Sequence, residues 1–263
     1  MKRMIALLLL GLMCSTAMAE VIGKNVEYKS GDTVLKGYIA WDDAIKGKRP
    51  GVLVVHEWWG LNDYARKRAR MLAELGYTAM ALDMYGNGKQ AQHPDDAAKF
   101  AAEAKKNMTV AKARFDAAKK LLQQQPTVDP NHIAAIGYCF GGGIVLEMMR
   151  RGDKLDGVAS FHGFLPGTAV AKPGTIKTKV LVLNGADDPF TTPEQIAAFK
   201  KEMETAKIDY RFISYPGAKH GFTNPDSTKY GEEFKIPLAY NADADTKSWH
   251  ELEMFLKEIF KKK

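Results

Sequence analysis

Ile136-Gly137-Tyr138-Cys139-Phe140-Gly141-Gly142 separates an apolar, strand-like run, His132 to Ile136, from a helical pattern running Phe140 to Arg151. It contains Gly-x-Cys-x-Gly. A strand that passes into a helix through a sharp turn crowds the backbone two residues before and two after its apex, so those places call for glycine. Gly137 and Gly141 occupy them. The turn lifts the apical side chain above the sheet and aims it at the first turn of the helix, whose free N–H groups and dipole stabilise negative charge. Cys139 is therefore the candidate nucleophile. The plainer alternative is a core cysteine beside a Gly-rich bend, and the residues further out separate the two.

On either side of this bend, strand and helix signals alternate. Upstream, Asn25 to Lys29 and Thr33 to Ala40 predict an antiparallel hairpin turning at Ser30-Gly31-Asp32. Gly51 to Val55 and Thr78 to Leu82 read as strands around a helix from Tyr64 to Leu75, followed by helices at Asp95 to Lys105 and Val110 to Gln124. Downstream come strands at Gly157 to Phe161, Lys179 to Leu183 and Tyr210 to Ser214, with a helix at Pro193 to Ala206. Trp249, Leu252, Phe255, Leu256, Ile259 and Phe260 recur at helical spacing, so the last helix must bury one face. Continuous apolar strands joined by helices predict an α/β fold: a mostly parallel sheet, helices on both faces, and ligand sites at the carboxyl ends of the strands. Residues 217–241 carry no assignable pattern.

The amino terminus reads differently. Lys2 and Arg3 precede an apolar run, Ile5 to Met13, and the small residues Ala17-Met18-Ala19, which together predict a signal peptide over 1–19 and a single domain over 20–263. A lipoprotein reading through Cys14 lacks the usual leucine three positions back from that cysteine. Cleavage after Ala19 places the mature chain across the inner membrane, in the periplasm, without membrane insertion, and leaves Cys139 as its one cysteine. An exported protein with a single thiol has no internal disulfide to make, so that thiol is either buried or chemically employed. The formal net charge of +7 is spread along helices and the tail without interleaved aromatics, which argues for a solvated surface and against a nucleic-acid platform.

A nucleophile needs a base, and the base an orienting acid; after an elbow of this kind they follow in the order acid, then histidine. Asp187 and Asp188 end one strand and His220 sits in a Gly-rich loop after the next. Asp188, three residues after Gly185, is the preferred acid; as Asp-Pro it is also a common turn residue. His93 and His250 fall on polar sequence, and His132 opens the elbow strand at its wrong end. His56 and His162 end strands at the active edge, where either is a pocket residue or a satisfied structural one. No histidine pairs with another ligand at metal spacing, so neither metal nor cofactor is expected. Val55-His56-Glu57-Trp58-Trp59-Gly60-Leu61 follows the strand whose loop supplies one N–H of an oxyanion hole, with Trp58 and Phe140 as the two donors. Glu57 at the pocket mouth is costly to bury unpaired, and the Cys139 thiol is its expected partner.

Together, His56-Glu57-Trp58-Trp59-Gly60, Leu82-Asp83-Met84-Tyr85-Gly86, Gly137-Tyr138-Cys139-Phe140-Gly141-Gly142, Gly185-Ala186-Asp187-Asp188 and His220-Gly221-Phe222 resemble the dienelactone hydrolase family, within the α/β-hydrolase superfamily, across nearly all of the mature chain. The resemblance implies a Cys139-His220-Asp188 triad, with Glu57 holding the resting thiol and helping to deprotonate it. It implies a hydrolase acting on a small-molecule ester, lactone or thioester through a thioester acyl-enzyme. Family members acting on dienelactone hold the substrate carboxylate with two arginines, whose positions correspond here to Asn87 and Asn224. Asparagine cannot form a bidentate ion pair, so a substrate other than dienelactone is expected. Trp59, Tyr85, His162 and Phe222 join these asparagines as expected substrate contacts. A lone redox-sensing thiol and a noncatalytic binding protein on the same fold are the competing readings; neither requires acid and histidine in hydrolase order.

Overall fold

The computed structural model describes residues 20–261; the expected signal peptide and Cys14 lie outside them. One eight-stranded sheet runs in the order β1-β2-β4-β3-β5-β6-β7-β8. Its strands are β1 Val21–Ser30, β2 Thr33–Asp42, β3 Arg49–Val55, β4 Thr78–Leu82, β5 Val128–Tyr138, β6 Gly157–Phe161, β7 Lys179–Gly185 and β8 Tyr210–Tyr215. The expected hairpin is present: β1 pairs with β2 antiparallel, and β2 with β4 likewise. From β4 through β8 every pairing is parallel.

Helices cover both faces because each strand alternates its side chains between two cores. Val52, Val54, Ala79, Ala81, Ala134 and Ile136 point to one side, against α1 (Asp63–Glu74) and α7 (Ala242–Ile259). Leu53, Val55, Met80, Leu82, Ile133 and Ala135 point to the other, against α2 (Pro94–Lys106), α3 (Met108–Gln123), α4 (Phe140–Arg150) and α5 (Pro193–Ala206). The periodicity read for the last helix holds: Leu252, Phe255 and Leu256 are buried, with Trp249, Ile259 and Phe260 packed against them.

Two boundaries differ from the sequence reading. The elbow strand begins at Val128, through Asp129-Pro130, and its pairing with β3 slips register between Arg49 and Gly51. Proline lacks the N–H that regular pairing needs, so the strand tolerates it at an irregularity. Within the unassigned 217–241 stretch lies α6, Ser227–Phe234, of which only Ser227 is fully buried. Its Tyr230 and Phe234 rings lean on Trp59, a contact with a distant loop that no local pattern encodes.

Strand order sets where a site can lie. After β3 the chain steps outward to β4, then crosses back past β3 to β5 and continues the other way. At such a switch point adjacent loops diverge and leave a crevice at the carboxyl ends of the strands. The 56–62 loop and Cys139 flank it.

Candidate active site

Cys139 sits between β5 and α4 with φ +52° and ψ −115°, a backbone state that L residues rarely adopt and that persists only where surroundings impose it. The glycines impose it. A Cβ at Gly137 would stand 2.1 Å from the Gly141 carbonyl oxygen, and one at Gly141 would stand 2.3 Å from that of Val55. The next glycine is equally constrained, its Cβ falling 2.7 Å from the Gly163 Cα. The Cys139 N–H donates to the Phe161 carbonyl at 3.0 Å, pinning the turn to β6. Cys139 is a free thiol and half-buried.

His220 and Asp188 meet as the chain order implies. His220 Nδ1 and Asp188 Oδ2 lie 2.8 Å apart. The second carboxylate oxygen, Oδ1, accepts from the Phe190 N–H at 2.8 Å, so Asp188 is clamped from both sides. Asp188 is buried whereas Asp187 is exposed, which separates the two candidates. Burial alone would push the His220 pKa down; the charge of the Cys139 sulfur and the bond to Asp188 outweigh it and lift it to about 10. His220 and Cys139 line one cavity. The Phe190 ring packs edge-on against the imidazole, 5.0 Å between centroids.

Phe140 is the first residue of α4, so its N–H has no acceptor within the helix. Trp58 is held from behind, its carbonyl accepting from the Tyr85 hydroxyl at 2.9 Å. The turn carrying Tyr85 is wound around Asp83, whose carboxylate accepts from the N–H groups of Tyr85, Gly86 and Gly88, each at 2.8 Å.

Glu57 is placed differently from expectation. It is 4 % exposed, and its Oε2 accepts from Asn224 Nδ2 at 2.6 Å; no Glu57–Cys139 hydrogen bond occurs among the described residues. Burial drives its pKa up to about 7 against the opposing pull of Asn224, His220 and Arg68. Removing a carboxylate from water costs more than one amide returns, so the group holds its proton into the neutral range.

The side chains expected to touch substrate lie elsewhere than in the cavity beside Cys139. This cavity, about 240 Å³, is lined chiefly by Trp58, Phe140, Phe164, Phe190, Ile236 and Leu238, with Ala101, Lys105 and Thr191 completing its wall. Trp59 is buried under α6, and Phe222 is buried between Tyr215 and His162. Tyr85 supports Trp58 from behind. Asn87 is an exposed turn residue at φ +55°, its N–H donating to the Val34 carbonyl. Asn224 spends its amide on Glu57. His162 is fully buried with both ring nitrogens engaged: Nδ1 accepts from the Cys139 N–H at 3.1 Å and Nε2 faces Thr223 Oγ1 at 2.8 Å. His56 is likewise satisfied, its Nδ1 donating to the Glu57 carbonyl and its Nε2 accepting from the Met84 N–H.

Sequence reasoning missed an inner network. Arg68, 3 % exposed, donates to the Thr223 carbonyl at 2.7 Å and pairs with Asp245, and the Tyr64 hydroxyl lies 2.6 Å from Thr223 Oγ1. A basic residue inside the helical pattern of α1 gives no sign that it is buried. Trp58 and Phe140, expected at the site, do line the cavity, and the position of Phe190 directly after Asp188-Pro189 is the signal that could have added it to them. No group of three or more His, Cys, Asp or Glu side chains placed to hold a metal ion occurs among the described residues. Nor is any helix among them long and apolar enough to cross a membrane.

An eight-stranded, mostly parallel sheet with a strained residue between β5 and α4 defines an α/β-hydrolase. The dienelactone hydrolase family model matches residues 35–260, and the chain belongs to that family as a carboxylic ester hydrolase. The protein usf of Aquifex pyrophilus is 30 % identical over 77 % of this chain and 88 % of its own length. An Aquifex aeolicus protein provisionally named carboxymethylenebutenolidase is 27 % identical over the same shares. A dienelactone hydrolase-like promiscuous phosphotriesterase from metagenomic libraries superposes with a TM-score of 0.83 at 34 % identity, covering 92 % of this chain and 99 % of its own.

Proposed function

We propose that this hydrolase cleaves an ester, lactone or thioester with Cys139 as nucleophile, His220 as base and Asp188 as the orienting acid. The observation that carries the reading is the meeting of these residues: an imidazole bonded to a buried carboxylate at 2.8 Å and charge-coupled to a sulfur held at φ +52°. The Cys139 thiolate attacks the carbonyl carbon, and the Phe140 and Trp58 N–H groups take the developing oxyanion. Collapse expels the alcohol or thiol, protonated by His220, and leaves a thioester on Cys139. Water then gives a proton to His220 and attacks the thioester, releasing the acid and restoring the thiol.

Glu57, protonated at the lower end of the neutral range and bonded to Asn224, is charge-coupled to His220, so its ionisation supports the charged imidazole of the working site. Relatives named carboxymethylenebutenolidase suggest a lactone, but Asn87 and Asn224 present no cation to a substrate carboxylate at the positions the family resemblance implies. A substrate other than dienelactone fits better. The Lys2-to-Ala19 pattern supports export to the periplasm, which amino-terminal sequencing of the fractionated protein checks: a start at Glu20 is expected, and retention of Met1 would overturn it.

Hydrolysis of p-nitrophenyl esters by wild type and Cys139→Ala tests the mechanism. Wild-type turnover with mass-trapped acyl-Cys139, and none in the variant, is expected; equal rates would refute the triad. Sulfenic acid at Cys139 under peroxide, with no acylation by any ester, would instead favour the redox reading.

A further inference from the structure

We infer that Lys105 forms an anion subsite at the rim of the Cys139 cavity, so that the substrate is an ester with an apolar body bearing a carboxylate away from its scissile carbonyl. The inference rests on the hydrolase reading above and narrows its substrate class.

Three observations carry it. Apart from the Cys139–His220 pair, Lys105 is the one charged side chain among the described residues that line the cavity; the rest of the wall is aromatic or aliphatic, with a single hydroxyl at Thr191. Lys105 has no ion-pair partner among the described residues. The nearest acid on its own helix, Glu103, lines a different cavity with Asn107 and Arg114. Finally, the ammonium is positioned: Nζ stands 4.7 Å from the centroid of the Phe164 ring, itself a cavity wall and 41 % exposed. A ring face holds a cation without neutralising it, so the full charge stays available to a ligand. Lys105 is itself exposed at the rim, so solvent and salt screen its pull and the attraction expected is that of a surface ion pair. An apolar chamber with a nucleophile at one end and an unneutralised cation at the rim matches an ester that is apolar in the middle and anionic at the far end.

This subsite differs from the arginine positions implied by the resemblance. Asn87 is exposed outside the cavity and Asn224 is taken up by Glu57, whereas Lys105 reaches the cavity from the last turn of α2. A structural role exists as well, since cations in a last turn complement the helix dipole. Lys106 shares that role but does not border the cavity, which makes it the control.

The test is a matched pair, p-nitrophenyl valerate and mono-p-nitrophenyl glutarate, which differ in carrying a terminal methyl or a carboxylate. Lys105→Gln should lower kcat/KM for the glutarate roughly fivefold relative to the valerate, the upper range for an exposed ion pair, and added salt should erase the difference. Lys105→Arg should keep the wild-type ratio, Lys105→Glu should push it below that of Lys105→Gln, and Lys106→Gln should leave it unchanged. A ratio unmoved in Lys105→Gln overturns the subsite. Alkylation of Cys139 by iodoacetate against iodoacetamide, read by mass spectrometry, repeats the comparison without requiring turnover. If wild type hydrolyses neither ester while the alkylation ratio still follows Lys105, the subsite stands and the hydrolase reading falls; if both esters turn over and neither ratio moves, the reverse holds.

Discussion

The elbow at 136–142 and the segment at 217–241 both deliver residues to the same cavity, yet they are built on opposite principles. The elbow is held by its own backbone: two glycines that admit no Cβ, a buried strand before and a buried helix after. The 217–241 segment carries His220, Asn224, Ile236 and Leu238 on a chain with one short helix and few buried side chains, anchored by a bridge between His220 and Leu238 and by rings resting on Trp59. A nucleophile must be held rigidly for attack, while the wall that admits substrate gains from a looser support. The contrast teaches that the half of this site held by its own backbone is written in local spacing and the half held from outside is written in distant contacts.

Several substitutions would break or sharpen that contrast. The largest effect is expected from Gly141→Ala, whose Cβ meets two backbone carbonyls, Val55 at 2.3 Å and His56 at 2.6 Å, that cannot step aside. It should cost about 4 kcal/mol or more in urea unfolding and abolish acylation of Cys139. A fully stable, active variant would show that the elbow is not backbone-limited.

Asp188→Asn should lower kcat about a thousandfold by releasing His220 from its tautomer, while Asp187→Asn, on an exposed residue, should leave it near wild type. Equal losses in the two would return the acid assignment to open question.

Glu57 offers a pH test across the two regions, since it follows β3 but is bonded to the 217–241 segment. Its folded-state pKa of about 7 lies above the usual 4.5, so folding takes up a proton. Its contribution to stability is complete below pH 4.5 and is lost as pH rises through 7, by roughly 3 kcal/mol. Glu57→Gln, which keeps an acceptor for Asn224, should lack this decline; unfolding midpoints of both proteins from pH 4.5 to 8 measure it, and parallel curves would remove the raised pKa.

The smallest effect is expected from Phe234→Ala, which strips one half-buried ring from Trp59. It should cost about 1 kcal/mol and show first as faster amide exchange over 227–234, with the elbow's protection untouched. Loss of protection at both places would mean the two regions unfold as one unit.

Much of this molecule was legible before any coordinates. Strand and helix positions, the chain order of Cys139, Asp188 and His220, and the requirement for glycine at 137 and 141 all follow from local periodicity, turn chemistry and fixed spacing, which a linear sequence carries directly. Tertiary structure decided which polar groups pair: Asn224 with Glu57 across 167 residues, Arg68 with Asp245, and His162 sealed behind the elbow. It also decided that Trp59, Phe222 and Tyr85 support the cavity from behind while Lys105 and Phe164 border it. Burial and partner choice depend on segments far apart in the chain meeting in space, and a side chain's type does not reveal which neighbour folding will bring to it.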